Sequence, residues 1–150
     1  MMSDLRELYQ EVIAEHNKNP RNFRWMEDAN RMAIGVNPLC GDKLTVYLKV
    51  DDQDNVTDMS FEGSGCAISV SSASIMTQML KGKKVQEAEK LFNTFHEAVT
   101  LDNRQPDLEG LGKIAALAGV KAYPSRVKCA TLSWHTMHAA LEGEEWASTE

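Results

Sequence analysis

The segment from residue 44 to residue 50 constrains the fold more than any other part of this chain. Leucine and valine there alternate with Thr45, Tyr47 and Lys49, which is typical of a strand buried on one face. Turn-forming residues follow at 51–55, and 56–62 has a second strand pattern, so the two segments predict a β-hairpin. With a further strand predicted over 31–36, they predict a three-stranded antiparallel sheet.

Helical periodicity is found on both sides of this predicted sheet. A first helix is predicted to end at Asn19-Pro20, because proline disfavours helical backbone in the preceding residue. After the sheet, the pattern predicts helices over 67–80, 85–99 and 111–117, a polar loop at 101–108 and a last helix after Pro124. Strands followed by helices predict an α+β fold in which the sheet packs against about five to six helices. A length of 150 residues suits one domain, residues 1–150.

Composition and charge exclude several classes of function. The formal net charge of −6 argues against a nucleic-acid-binding surface, which normally has a basic patch. No run approaches the ~18 uncharged apolar residues that a membrane span needs, and the start of the chain lacks a signal-peptide pattern. We therefore expect a cytoplasmic protein whose thiols stay reduced. The acidic end, with Glu142, Glu144 and Glu145, is predicted to be a frayed tail.

Three cysteines lie in three distinct sequence settings. Cys40 belongs to Asn-Pro-Leu-Cys-Gly-Asp at 37–42, Cys66 follows Gly-Ser-Gly, and Cys129 precedes the apolar pattern of the last helix. An odd number cannot all pair within one chain, and glycine beside two of them lets backbone or a ligand approach the sulfur. We expect Cys40 on the loop between the first two strands. Cys66 and Cys129 are expected in the first turns of helices, where unpaired N–H groups stabilise a thiolate.

Three thiolates and the Asp42 carboxylate would supply four ligands, enough for a closed tetrahedral zinc site. Arg126 is a better counter-charge than Lys128, because its planar fork can bond thiolate or carboxylate while staying charged. The spacing does not require a shared site, because cysteine is a common buried small hydrophobe and aspartate after glycine is typical of a turn. His135 and His138, at i and i+3, are a second candidate pair of ligands, which helix-boundary positions explain more simply.

The three cysteine segments together resemble the IscU/SufU family of U-type iron–sulfur cluster assembly proteins. The resemblance rests on Asn-Pro-x-Cys-Gly-Asp at 37–42, Gly-x-Gly-Cys-Ala-Ile-Ser at 63–69 and the cysteine that opens the last helix. Two features resemble the SufU branch. Lys128 stands where scaffold-type members carry histidine, and an extra helical stretch at about 85–117 lies between the second and third cysteines. The Leu-Pro-Pro-Val-Lys segment by which scaffold-type members bind a chaperone is absent.

This resemblance implies a fold, a metal and a function. It implies a small antiparallel sheet carrying helices, Arg126 as a charge-balancing residue, and zinc bound by Cys40, Asp42, Cys66 and Cys129. Cys40 would accept persulfide sulfur from a SufS-like cysteine desulfurase once a partner side chain replaced it on the metal, and downstream iron–sulfur scaffold proteins would receive the sulfur. One alternative is a scaffold on which iron or a [2Fe–2S] cluster is held by the same residues. A purely structural zinc domain is the other.

Overall fold

The computed structural model describes residues 2–100 and 111–149. In chain order the elements are α1 (Met2–Lys18), β1 (Arg31–Asn37), β2 (Asp42–Val50), β3 (Val56–Ser64), α2 (Ala67–Leu80), α3 (Val85–Thr100), a 3₁₀ helix (Gly112–Ala122), α4 (Pro124–Leu141) and β4 (Trp146–Ser148). The predicted α+β fold, with strands preceding most of the helices, is confirmed. The polar loop predicted at 101–108 lies outside the described residues. No helix in the described part of the chain is both long and apolar enough to span a membrane.

The sheet is mixed and has four strands in the order β3-β2-β1-β4. β2 pairs antiparallel with β1 and with β3, which confirms the predicted hairpin and its third strand. β4 pairs parallel with β1 through Ile34–Val36, so the prediction of three strands followed by a frayed acidic end was wrong here. The backbone N–H of Ile34 donates to the carbonyl of Glu145 at 2.8 Å and begins this pairing. A strand of three residues is too short to show the alternation that reveals longer strands.

The inward-facing residues of β2 form one side of the apolar core. Leu44, Val46 and Leu48 are fully buried and belong to one apolar cluster with residues from α2, α3, the 3₁₀ helix and α4. Within that cluster the rings of Phe95 and Trp134 are 5.4 Å apart. Burial of each large apolar side chain contributes about 1.5–3 kcal/mol. The helices are therefore held against the sheet mainly by apolar contact.

The helical segment between the second and third cysteines differs from its prediction in one part. α3 is amphipathic, as the sequence predicts, and buries Phe92 and Phe95. The segment predicted to be a short helix ending before Gly119 is instead a 3₁₀ helix that continues to Ala122. Its large buried residues Ile114, Leu117 and Val120 are three apart and share one face of a helix with three residues per turn. That spacing favours the 3₁₀ geometry.

α2 buries hydroxyl groups that fix its position against α1 and α4. Ser74 Oγ accepts the backbone N–H of Arg21 at 2.8 Å and shares a hydrogen bond with His16 Nδ1 at 2.7 Å. On the opposite side, Ser72 Oγ accepts the indole N–H of Trp134 at 3.1 Å. Buried polar groups need such partners. These contacts therefore position α2, whose N-terminus lies beside the cysteines.

Candidate metal centre

Three of the four predicted ligands converge where the β1–β2 turn meets α4. Ligand atoms of Cys40, Asp42 and Cys129 all lie within 4.8 Å of one another, and the sulfurs of Cys40 and Cys129 are 3.4 Å apart. The three side chains come from the β1–β2 turn, the first position of β2 and the second turn of α4. Residues distant in sequence thus form one group of donors.

Cys66 lies beside this group. It occupies the N-cap position of α2, where its backbone N–H donates to Asp42 Oδ1 at 2.9 Å. Its thiol lies 3.7 Å from Ser69 Oγ. All four predicted ligand residues therefore lie next to one another in space. The Cys66 sulfur, however, is not one of the three donor atoms that lie within 4.8 Å of one another.

In the β1–β2 turn, an exposed predicted ligand and a buried one are only two residues apart. Cys40 is exposed, whereas Asp42 is buried. Gly41 between them has φ +72°, a left-handed conformation that glycine adopts without strain. The predicted position of Cys40 on the loop between the first two strands is confirmed.

Asp42 is the most extensively hydrogen-bonded group of the site. Its carboxylate accepts hydrogen bonds from Asn37 Nδ2 at 3.0 Å, Ser69 Oγ at 2.7 Å and the backbone N–H of Cys66 at 2.9 Å. Burial alone would raise the pKa of this carboxyl, but the hydrogen bonds outweigh burial and lower it. A Cβ at position 65 would lie 2.8 Å from Asp42 Oδ1, so Gly65 permits this close approach. Asp42 is thus held as a buried anion.

The two less exposed thiols differ in acidity. For Cys66, burial opposes ionisation, but the backbone N–H and hydroxyl of Ser69 stabilise the thiolate and lower its pKa. For Cys129, burial raises the pKa, and hydrogen bonds with Cys40 and Cys66 raise it further. The prediction of Cys129 as a helix-start thiolate was wrong. α4 begins at Pro124, so Cys129 lies in its second turn, and its sulfur is 3.6 Å from the carbonyl oxygen of Ser125.

An exposed cation borders the thiols. The pKa of Arg126 is raised, first by a hydrogen bond with Cys129 and then by the charges of Cys66, Cys129 and Cys40. A guanidinium keeps its charge at any physiological pH. Arg126 therefore offsets part of the negative charge that a set of thiolates and a carboxylate would concentrate here.

The histidine pair of α4 is not brought together as a pair of ligands. His138 Nδ1 shares a hydrogen bond with Glu89 Oε2 at 2.6 Å, and Glu142 supplies a third donor within 4.8 Å. His135 instead packs edge-on against Phe92 with ring centroids 5.1 Å apart, and burial lowers its pKa to about 4. These contacts join α3 to α4.

Two residues of the site were not among the predicted candidates. Asn37 is fully buried, and its Nδ2 lies 3.0 Å from Asp42 Oδ2 and 3.5 Å from Cys129 Sγ. Ser69 is also fully buried and donates to Asp42. Both belong to the motifs that contain Cys40 and Cys66. Their position in those motifs was the available signal, but a single sequence does not show that their side chains turn inward.

The donor set suits zinc. Zn²⁺ binds thiolate sulfur and carboxylate oxygen and favours four ligands in a tetrahedral arrangement. Cys40, Asp42, Cys66 and Cys129 supply three sulfurs and one carboxylate, and Asp42 is already anionic. Soft thiolates would also select Cu(I) or an iron–sulfur cluster, so the donor set is compatible with both metal hypotheses.

The chain belongs to the NifU-like N-terminal domain family, whose sequence model matches residues 8–130. It is 41% identical over 143 residues to the zinc-dependent sulfurtransferase SufU of Bacillus subtilis, covering 95% of each chain. It is 36% identical over 141 residues to the iron–sulfur cluster assembly scaffold protein IscU of Streptococcus pyogenes, covering 94% of this chain and 87% of the relative.

A solved structure is similar throughout the fold. It is the crystal structure of a protein from Fervidobacterium islandicum AW-1 described as an iron–sulfur cluster assembly scaffold for the SUF system. The TM-score is 0.81 at 36% identity, covering 87% of this chain and 94% of that chain. These similarities confirm the family predicted from the three cysteine segments.

Proposed function

We propose that this protein is a zinc-dependent sulfur carrier that accepts persulfide sulfur from a cysteine desulfurase for iron–sulfur cluster assembly. One observation carries the proposal: an exposed thiol, Cys40, lies against buried donors, Asp42 and Cys129. A sulfur acceptor must be reached by a partner, whereas a purely structural site gains nothing from an exposed ligand. The similarity to the SufU relative supports the same function.

Four residues would hold the metal. We assign zinc to Cys40, Asp42, Cys66 and Cys129, with Arg126 offsetting excess negative charge. Bound zinc would keep the coordinating thiols deprotonated at neutral pH. Asp42 is kept anionic by Asn37, Ser69 and the N-terminus of α2 and so requires no change of protonation on binding.

Sulfur transfer would use Cys40 as the nucleophile. The Cys40 thiolate attacks the outer sulfur of the persulfide on the desulfurase, and a new sulfur–sulfur bond forms at Cys40. The sulfur–sulfur bond of the donor breaks, and the donor cysteine leaves as a thiolate. One sulfur atom changes carrier without net oxidation. The exposure of Cys40 then makes the product accessible to a downstream scaffold protein.

A second candidate is a scaffold on which a [2Fe–2S] cluster is assembled. The similarity to the IscU relative favours it, and thiolates are the usual cluster ligands. Lys128, beside Cys129, replaces the histidine that scaffold-type members carry, and a protonated amine cannot ligate iron. We therefore place the sulfur-carrier function first.

We also propose the setting in which this function operates. Reduced thiols are required, which suits the cytoplasm, and neither a membrane nor a nucleic acid is needed. Residues 1–150 would act as one domain in which the segment at about 85–117 is a SufU-type insertion. Buried residues of α3 and the 3₁₀ helix share the core of the sheet, which supports this assignment.

The test is sulfur transfer from ³⁵S-labelled cysteine by a SufS-like desulfurase, with metal analysis of the same samples. The wild-type protein should contain about one zinc per chain, become labelled and increase desulfurase turnover. Cys40→Ala should retain zinc but take up no label. Label uptake by Cys40→Ala would exclude Cys40 as acceptor, and zinc without any effect on turnover would indicate the structural zinc domain.

The scaffold alternative needs its own experiment. After anaerobic reconstitution with iron and sulfide, a scaffold should carry a cluster and pass it to an apo-ferredoxin. We expect no efficient transfer. Stoichiometric transfer by a protein that accepts no sulfur would favour the scaffold function instead.

A further inference from the structure

A single side-chain amide joins two of the proposed metal ligands. Asn37 is the last residue of β1 and is fully buried. Its Nδ2 lies 3.0 Å from Asp42 Oδ2 and 3.5 Å from Cys129 Sγ. Because an amide NH₂ has two hydrogens, Asn37 donates to both groups at once. It thereby connects the start of β2 to α4 directly behind the donor atoms.

The other end of this amide is held by the C-terminal segment. Thr149 Oγ1 donates to Asn37 Oδ1 at 2.9 Å, and the backbone N–H of Thr149 donates to the carbonyl of Val36 at 3.2 Å. The parallel pairing of β4 with β1, in which Ser148 is opposite Val36, brings Thr149 to this position.

The Thr149 hydroxyl gives the amide a defined orientation. If Asn37 rotated by half a turn, its carbonyl oxygen would face the Asp42 carboxylate, and two acceptors would oppose each other. Because the Asp42 carboxylate only accepts, it requires the NH₂ on its side, and the Thr149 hydroxyl then donates to Oδ1 and holds the amide in that arrangement.

We propose that Thr149 and Asn37 are positioning residues for the metal centre, Thr149 orienting Asn37 and Asn37 holding Asp42 and Cys129 in place. This inference rests on the proposed function, in which Cys40 leaves the metal to accept sulfur. The other three ligands must keep their geometry while Cys40 is away from the metal. The C-terminal segment then supports the metal centre through Thr149, although it contains no proposed metal ligand.

The experiment compares release of zinc from purified protein to a chromophoric chelator. Loss of one neutral hydrogen bond should make Thr149→Val release zinc about 5-fold faster than wild type. Thr149→Ser, which keeps the hydroxyl, should remain within about 2-fold of wild type. Asn37→Ala should be faster by about 10- to 100-fold, the usual cost of removing a group that orients a ligand.

A readout on the metal-free protein separates orientation from general stability. In the ¹⁵N NMR spectrum of the wild type, the two Nδ2 protons of Asn37 should give distinct signals protected from exchange. Thr149→Val should lose this protection while the backbone N–H groups of Ile34 and residue 149, which pair β1 with the C-terminal segment, keep theirs, and Thr149→Ser should restore it.

Two outcomes would overturn the inference: zinc release from Thr149→Val as slow as from wild type, or Thr149→Ser as fast as Thr149→Val. A wild-type protein that binds no zinc would instead refute the proposed function. The Asn37 signals would then still decide whether Thr149 orients the amide.

Discussion

The two sides of the cysteine site are built differently. On the outer side, Cys40 lies on an exposed turn, and its sulfur contacts that of Cys129. On the inner side, Asp42 and Cys129 are buried and hydrogen-bonded by Asn37, Ser69 and backbone groups. Among the described residues, the side chain of Cys40 has only this one ordered contact, whereas several hydrogen bonds restrict Asp42 and Cys129. The difference teaches that one group of donors can combine fixed members with a member that a partner can reach.

Removing one proposed ligand from each side is the most direct test of whether the two sides differ. Water can occupy the exposed position of Cys40, and zinc sites with three protein ligands and a water are common. Water cannot easily reach the buried position of Cys129. We therefore expect Cys129→Ala to lose zinc to a chelator faster than Cys40→Ala, by on the order of 100-fold. Equal rates, measured by chelator absorbance, would show that the two sides are equivalent.

Thiol reactivity in the metal-free protein tests the inner side by itself. The pKa of Cys66 is lowered and that of Cys129 is raised, and only a thiolate reacts with iodoacetamide. At pH 7, Cys66 should be alkylated faster by about 100-fold, with Cys129 gaining reactivity only as the pH rises well above 9. Mass spectrometry of the labelled peptides gives both rates, and similar rates at pH 7 would contradict the assignment.

Acid should weaken the packing of α1 against α2. His16 is fully buried, and its Nε2 has no partner among the described residues. Burial lowers its pKa to about 4. Because the unfolded chain takes up this proton near pH 6.5, stability is full above that pH and declines as the pH falls toward 4. From pH 8 to pH 5, His16 alone should account for a loss of about 2 kcal/mol.

Urea unfolding at both pH values measures this loss. His16→Gln should show a smaller difference between pH 8 and pH 5 than wild type. Part of the pH dependence should remain, because the pKa of His135 is also lowered to about 4 by burial. An unchanged pH dependence in His16→Gln would exclude His16 as its source.

The smallest expected effect comes from neighbouring serines of α2. Ser69 Oγ donates to Asp42 at 2.7 Å, whereas Ser71 Oγ donates to the carbonyl of Ala67 within its own helix at 2.6 Å. Ser69→Ala should release zinc about 5-fold faster than wild type, the effect of one hydrogen bond of about 1 kcal/mol. Ser71→Ala is the matched control and should leave the rate unchanged. A larger effect of Ser71→Ala would show that changed packing of α2, and not loss of the hydrogen bond to Asp42, alters the rate of zinc release.

Sequence reasoning succeeded where a pattern is local. Alternation over 44–50 and the 3-4 spacing of α3 are each contained in one element, so both predictions were correct. β4 was missed because its three residues form a strand only by pairing with β1, far away in the chain. The 3₁₀ helix was mistaken for a helix ending before Gly119, although its large buried residues have a spacing of three.

The candidate site was predictable in composition but not in its supporting contacts. Cys40, Asp42, Cys66 and Cys129 are named by their motifs, and the structure brings the donor atoms of Cys40, Asp42 and Cys129 within 4.8 Å of one another, with Cys66 beside them. The acidity of Cys129 could not be predicted, because it depends on which turn of α4 holds the residue and on its burial. The role of Asn37 depends on Thr149, which lies outside every recognised motif.

The proposed metal donors come from separate elements: a turn, the first position of β2, the N-cap of α2 and the second turn of α4. An unfolded chain has no such arrangement, so any metal held here stabilises only the native state. Metal supply and thermal stability are consequently linked, and the melting temperature should rise with free zinc concentration. Loading of zinc would therefore be measurable as a gain in the stability of the folded chain.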